Sequence, residues 1–204
     1  MASRTWTFSG RILGVGTTSG VRLVVGQWDD SPLGAFADVM VERADGHRIL
    51  LAPSAEVRDF VAATYAFDEL RVEPVQVSRA DAGVMKVRTP SLELTAQLGS
   101  RTAIGWLLSA VPSRLAASPA LATVTDPVAR VVLRGVRTRG SAGQGRREYY
   151  GATDVRAVTA VTARLDGADL GTLAQVDPPA RFGFSSTPRR PGLTEVVTTV
   201  VSRR

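Results

Sequence analysis

Apolar and polar positions alternate with a period of two along most of this chain, and the alternating segments are separated by glycine, proline and Asp-Gly signals. Side chains two apart in a strand share a face, so the pattern predicts strands half-buried on a sheet. Residues 5–13 (TWTFSGRIL) and 21–27 (VRLVVGQ) are predicted as a pair joined by GVGTTSG. That loop has the look of a phosphate-binding glycine loop, but its glycines stand at 14, 16 and 20 and a β-branched run follows. No helix N-terminus is offered to a phosphate, and a hairpin is the reading that fits. The stretch WDDSPLGAFADVMVE (28–42) passes from a tight turn into a strand, and AFADVMVE pairs with RILLA across an Asp-Gly turn beside His47.

One segment changes period. In PSAEVRDFVAATY, Ser54 is placed to cap a helix, and Val57, Phe60, Val61 and then Thr64 or Tyr65 recur at spacings of three and four. The helix is expected to lie on the sheet. Residues 70–98 return to alternation as two or three strands with an Asp-Ala-Gly turn and a break at Pro90. Helical character reappears over 101–118 around Trp106, cut short by Pro112 and Pro119. Two long β segments follow at 128–138 and 149–165, then a proline-rich loop and a final strand, LTEVVTTVV. The fold class expected is α+β, mostly β, with one or two short helices, and residues 1–204 form a single domain without internal repeats.

Composition narrows the chemistry. There is no cysteine, which excludes disulfides and thiolate catalysis, and His47 is the one histidine around which any triad or imidazole metal site would have to be built. No stretch reads as a signal peptide or membrane span, which leads to the expectation of a cytoplasmic protein with no membrane partner. Of the 25 basic residues only Lys86 is lysine. Charge is uneven: residues 1–126 carry a net −1 and residues 127–204 a net +7. Such asymmetry accompanies anionic partners, nucleic acid included, although codon usage in a GC-rich genome also raises arginine.

Candidate functional residues follow from these patterns. In DPVARVVLRGVRTRG, Arg130 and Arg134 share a strand face with Val128, Val132 and Val136. A guanidinium fork matches a carboxylate or phosphate, so Arg130 and Arg134 are candidate ligand contacts, the competing reading being solvation or pairing with a neighbouring acid. The stretch RTRGSAGQGRREYYG combines Arg137, Arg139, Arg146 and Arg147 with Tyr149 and Tyr150, a composition that could hold single-stranded nucleic acid or simply form a hairpin loop. Lys86, in VMKVR, shares a face with Arg88 and reads as solvent-facing, and His47 reads as an exposed loop residue.

The order VRLVVGQWDDSPLG, Asp38, ADGHRILLAP and SAEVRDFVAATY, followed later by AVTAVTARLDGADLGTL and LTEVVTTV, resembles the acetoacetate decarboxylase family from about Val21 onward. The resemblance implies a curved antiparallel sheet closing into a barrel-like fold, with an acid-binding pocket inside. It also implies a Schiff-base lysine just after the helix, in a Tyr-Pro-Lys-Lys element. This chain reads Thr64-Tyr65-Ala66-Phe67-Asp68 there, keeping the tyrosine and lacking the lysines. Asp38 matches one pocket carboxylate of the family, and a second falls near Leu23 and is missing. Without the amine there is no iminium to accept carbanion electrons, so decarboxylation by that route is not expected.

The expectation is therefore a pocket protein that binds, or acts non-covalently on, a small organic acid or ketone through Asp38, Tyr65, Arg130 and Arg134. Alternatives are an enzyme of lyase or hydrolase type using Asp38, and a binder of nucleic acid or another anionic partner through the basic C-terminal half. No cofactor and no metal are expected. The pattern leaves catalysis and oligomerisation open.

Overall fold

A computed structural model describes residues 4–80, 83–109, 139–141, 146–183 and 187–202. The first four strands are β1 (Arg4–Thr17), β2 (Arg22–Asp30), β3 (Phe36–Glu42) and β4 (Arg48–Ala52). Helix α1 (Ala55–Ala62) leads to β5 (Glu69–Val72), β6 (Gln76–Ala80), β7 (Val84–Arg88) and β8 (Leu92–Arg101). Helix α2 (Ala103–Ser109), β9 (Arg139–Ser141), β10 (Arg146–Leu165), β11 (Ala168–Asp169), β12 (Leu173–Ala174) and β13 (Gly192–Ser202) complete the order. No helix among the described residues is long and apolar enough to cross a membrane.

The strands join one sheet in the order β5-β4-β3-β2-β1-β13-β10-β8-β7-β6. The local hairpins follow the expected punctuation. The β1–β2 turn is shorter than its glycines suggested: Gly14 and Gly16 lie inside β1, and the chain reverses between Thr17 and Val21. Ser54 caps α1, its Oγ accepting from the Val57 N–H at 3.2 Å. The helix ends at Ala62, and the next turn is closed by the Thr64 and Tyr65 N–H groups donating to the Val61 carbonyl. Because α1 provides a crossover, β4 and β5 pair in parallel, the one parallel pair among the described strands.

Among the described residues the sheet does not close into a barrel. The sheet curls but stays open, with β5 and β6 as its two ends, although they are consecutive in the chain and separated only by Glu73-Pro74-Val75. A proline without an N–H in a three-residue link gives no ladder across the seam. The seam is instead stitched by side chains: the Ser91 hydroxyl donates to Glu73, and Arg71 on β5 forms a fork with Asp166 beyond β10. Arg43 reaches the same aspartate at 2.8 Å, and these guanidinium groups hold its carboxyl below the usual carboxylate range.

Alternation gives the sheet two different faces. Leu13, Val15, Leu23, Val25, Val39, Val41, Ile49 and Leu51 join Met85, Val87, Leu94 and Ala96 in one aliphatic core. The opposite face, carrying the even-numbered positions of β1 to β4, is covered by α1 and by the segment that follows β12. The expected pocket inside a closed barrel is accordingly replaced by a pocket between this second sheet face, a helix and a loop. Lys86 is exposed on β7 between buried Met85 and Val87, as its alternation predicts.

Candidate functional site

A cavity of about 70 Å³ lies where β1, β2, β3, β10 and β13 meet α1 and the loop after β12. That is room for several waters or a molecule of a few heavy atoms. Its walls are mostly aromatic and aliphatic. Phe8 stands edge-on to Trp28 and Phe36, with centroids 5.6 and 6.4 Å away, and packs against Phe60 of α1 at 5.2 Å. Ile12, Val24, Met40, Val61, Ala180, Phe182 and Val200 complete the apolar lining.

Polar groups are few and specific. Asp38 is 2% exposed, and its Oδ1 accepts from the Trp28 indole Nε1 at 3.2 Å. The pairing register explains why they meet. Gly26 on β2 lies directly opposite Asp38 on β3, and Trp28 stands two residues further along the same face. A Cβ on Gly26 would come within 2.6 Å of Asp38 Oδ1 and 2.8 Å of Trp28 Nε1, so the missing side chain is the notch that admits both. Burial pushes the Asp38 carboxyl up to about 7, partly countered by the indole hydrogen bond. Near neutral pH it is therefore poised to give or take a proton.

Tyr65 and Tyr150 also line the cavity, and their hydroxyls are 2.6 Å apart and share a hydrogen bond. Tyr65 arrives from the end of α1, whereas Tyr150 projects from β10. Thr198 on β13 sits in register between Tyr150 of β10 and Phe8 of β1. Thr198 is among the residues lining the cavity, and its Oγ1 is buried with no hydrogen-bond partner among the described residues. Buried hydroxyls rarely go unpaired, and the exceptions call for an explanation such as a ligand.

The loop over the cavity is held by a buried charge. Glu42 is fully buried and lies opposite Arg22 across β2 and β3, 2.8 Å from its Nη2. The same carboxylate accepts from the Arg181 backbone N–H at 2.6 Å and from Arg181 Nε at 3.2 Å. This pins the segment whose Ala180 and Phe182 form cavity walls. Next to it, the Ala66 N–H donates to the Phe182 carbonyl, and Asp68 forms a fork with Arg48. Helix end and loop are thus tied together, and both are tied to the sheet. Gly14 gives the loop its seat on β1, since a Cβ there would fall 2.2 Å from Thr187 Cγ2.

Of the four residues expected around a pocket, Asp38 and Tyr65 are brought together in this cavity. Arg130 and Arg134, the whole of 128–138, and Arg137 lie outside the described residues. No arginine or lysine is among the described residues that line the cavity. Tyr150, considered for base stacking in a basic loop, is instead 8% exposed on a strand and faces the cavity. Arg139, Arg146 and Arg147 fall on paired strands of the sheet. His47, expected as an exposed loop residue, is half-buried beside its turn, and its Nε2 lies 3.1 Å from Glu69 Oε2. Trp28 and Thr198, which line the cavity, and Glu42, which holds the loop beside it, were not among the residues expected around a pocket. One available signal was Gly26, because a lone glycine inside an alternating strand marks a close approach.

No family model matches the chain, and no curated protein matches it. Among solved structures, it is similar to a protein of Nitrosomonas europaea provisionally named AttH, with 13% identity and a TM-score of 0.28. The likeness covers 97% of this chain and 38% of that one, so the chain spans well under half the length of the structure it resembles.

Proposed function

We propose that the protein binds a small organic molecule bearing a carbonyl group, in the cavity beneath α1, as an acetoacetate decarboxylase-like protein without Schiff-base chemistry. The observation that carries this reading is a mostly apolar cavity whose polar lining includes the Asp38–Trp28 pair, the Tyr65–Tyr150 pair and Thr198, whose hydroxyl has no partner among the described residues. Apolar walls with a few convergent polar groups are the usual makeup of a small-molecule site. The chain's single lysine is exposed on β7, so the cavity has no side-chain amine with which to form an iminium. Between an organic acid and a ketone, the lining favours the ketone. A carboxylate placed near Asp38 would meet a second negative charge in a desolvated space, and none of the described lining residues is a cation to offset it.

A ligand of about five or six heavy atoms binds weakly, with a Kd of roughly millimolar order. Cyclopentanone and butan-2-one at tens of millimolar are expected to raise the melting temperature saturably, whereas acetate and butanoate at equal ionic strength leave it unchanged. Replacing Thr198 with valine, which keeps the shape and removes the hydroxyl, is expected to weaken the ketone effect. Stabilisation by the acids and not the ketones would contradict the reading.

A further inference from the structure

Resting on that reading, the geometry points to a proton-gated site: Asp38 holds the ligand as a neutral acid, donating from Oδ2 to its carbonyl oxygen, and releases it on ionising. The first support is the hydrogen-bond pattern at the carboxyl. Trp28 donates to Oδ1 at 3.2 Å, and this is the one hydrogen bond of the Asp38 side chain among the described residues. An indole N–H can only donate, so Oδ1 is the acceptor and the proton of the neutral acid belongs on Oδ2. The strand register fixes that choice, since Gly26 opposite Asp38 makes the room in which carboxyl and indole meet. The second support is the setting. Asp38 is buried and lines a mostly apolar cavity, where an O–H finds no acceptor among the described residues. A buried donor left unmade is costly, and a ketone oxygen supplies the missing acceptor without bringing a charge.

Ionisation reverses the match. A carboxylate offers acceptor lone pairs only, so it would face the lone pairs of a ketone oxygen in a space the ligand has emptied of water. The other ionisable groups among the described lining residues are the Tyr65 and Tyr150 phenols, from the end of α1 and from β10. Phenols as a class ionise far above carboxyls. Charged residues on the elements packed around β3 are engaged elsewhere: Arg11 with Asp29 and Glu195, Arg22 and Arg181 with Glu42, Arg48 with Asp68, and Arg58 with Asp59. Asp30 at the end of β2 and Glu56 on α1 are exposed. Burial raises the Asp38 carboxyl to about 7, which sets the gate near neutrality. The ligand class is a small, uncharged hydrogen-bond acceptor, held in mildly acidic solution and released in mildly alkaline solution.

The test titrates the whole chain with cyclopentanone at pH 5.5 and pH 8.5, following the Trp28 indole N–H by nitrogen-15 NMR. In the wild type the half-saturating concentration should rise about 30-fold, because about one molecule in thirty still carries the proton at the higher pH. Asp38→Asn keeps an oxygen to accept from Trp28 and places N–H donors where the acid has its O–H. It should bind at both pH values as the wild type does at pH 5.5. An equal affinity of the wild type at the two pH values would overturn the gate and leave the binding site standing. The same rise in Asp38→Asn would assign the titration to another group and refute the gate as well. Weak binding by Asp38→Asn at both pH values would refute the donor role of Oδ2. Absence of binding by both proteins at both pH values would overturn the gate together with the reading it rests on.

Discussion

Asp38→Asn is expected to flatten the pH dependence of folding stability between about 4 and 7. In the unfolded chain this carboxyl titrates at its ordinary 3.8, and in the folded protein burial raises it to about 7. Below the lower value both states hold the proton, and the group makes no difference to the slope. Between the two values the folded state holds a proton that the unfolded state has released, so stability falls as pH rises. Above the upper value both are ionised, and the full cost of a buried charge has been incurred. At about 1.4 kcal/mol per pK unit, the loss across this window is on the order of 4 kcal/mol. Asparagine keeps an oxygen to accept from Trp28 and carries no charge, so its curve should lack this fall. Its own buried amide costs about 1–3 kcal/mol if unpaired, so the difference in slope is the clean readout. Denaturant melts at pH 5 and pH 8 measure it. Parallel curves for the two proteins would show that Asp38 titrates normally.

The second large effect is expected at Glu42→Ala. Removing this carboxylate leaves Arg22, a residue 4% exposed, with only the carbonyls of Gly20 and Arg43 and no counter-charge among the described residues. Breaking a buried ion pair from one side typically costs about 3–5 kcal/mol, whereas replacing both partners with apolar groups costs far less. The double substitution Arg22→Leu with Glu42→Leu should therefore be more stable than Glu42→Ala alone. Both variants release the Arg181 N–H and untie the loop bearing Ala180 and Phe182, so both should bind ketone more weakly. Equilibrium unfolding of the three proteins decides the first point, and thermal shifts with cyclopentanone decide the second. A Glu42→Ala loss below about 1 kcal/mol would mean that the charge is solvated.

These effects arise from contacts that differ greatly in how far the sequence reveals them. Strands and α1 are local matters: alternation in FADVMVE and VMKVR, the Asp45-Gly46 turn and the Ser54 cap all act within a few residues, and all appear where expected. Asp38 and Tyr65 were legible through a resemblance that tied both to a pocket. Their partners were not. Trp28 reaches Asp38 because β2 and β3 pair with Gly26 opposite Asp38, and Thr198 stands between Phe8 and Tyr150 because β13, the last strand, inserts between β1 and β10. No local pattern specifies that insertion. The buried Arg22–Glu42 pair has the same origin, since each residue alone reads as an ordinary surface charge. The open seam is a further case, in which Pro74 was visible but its position between the two ends of the sheet depends on the whole strand order.

The central claim is that Asp38 is a desolvated carboxyl facing a ligand cavity, and its own titration tests this most directly. Carbon-13 NMR of the Asp38 side-chain carboxyl, assigned by comparison with Asp38→Asn, should give a midpoint near 7, moving further upward when cyclopentanone fills the cavity and expels water. A midpoint near 3.8 that does not respond to the ketone would contradict the account.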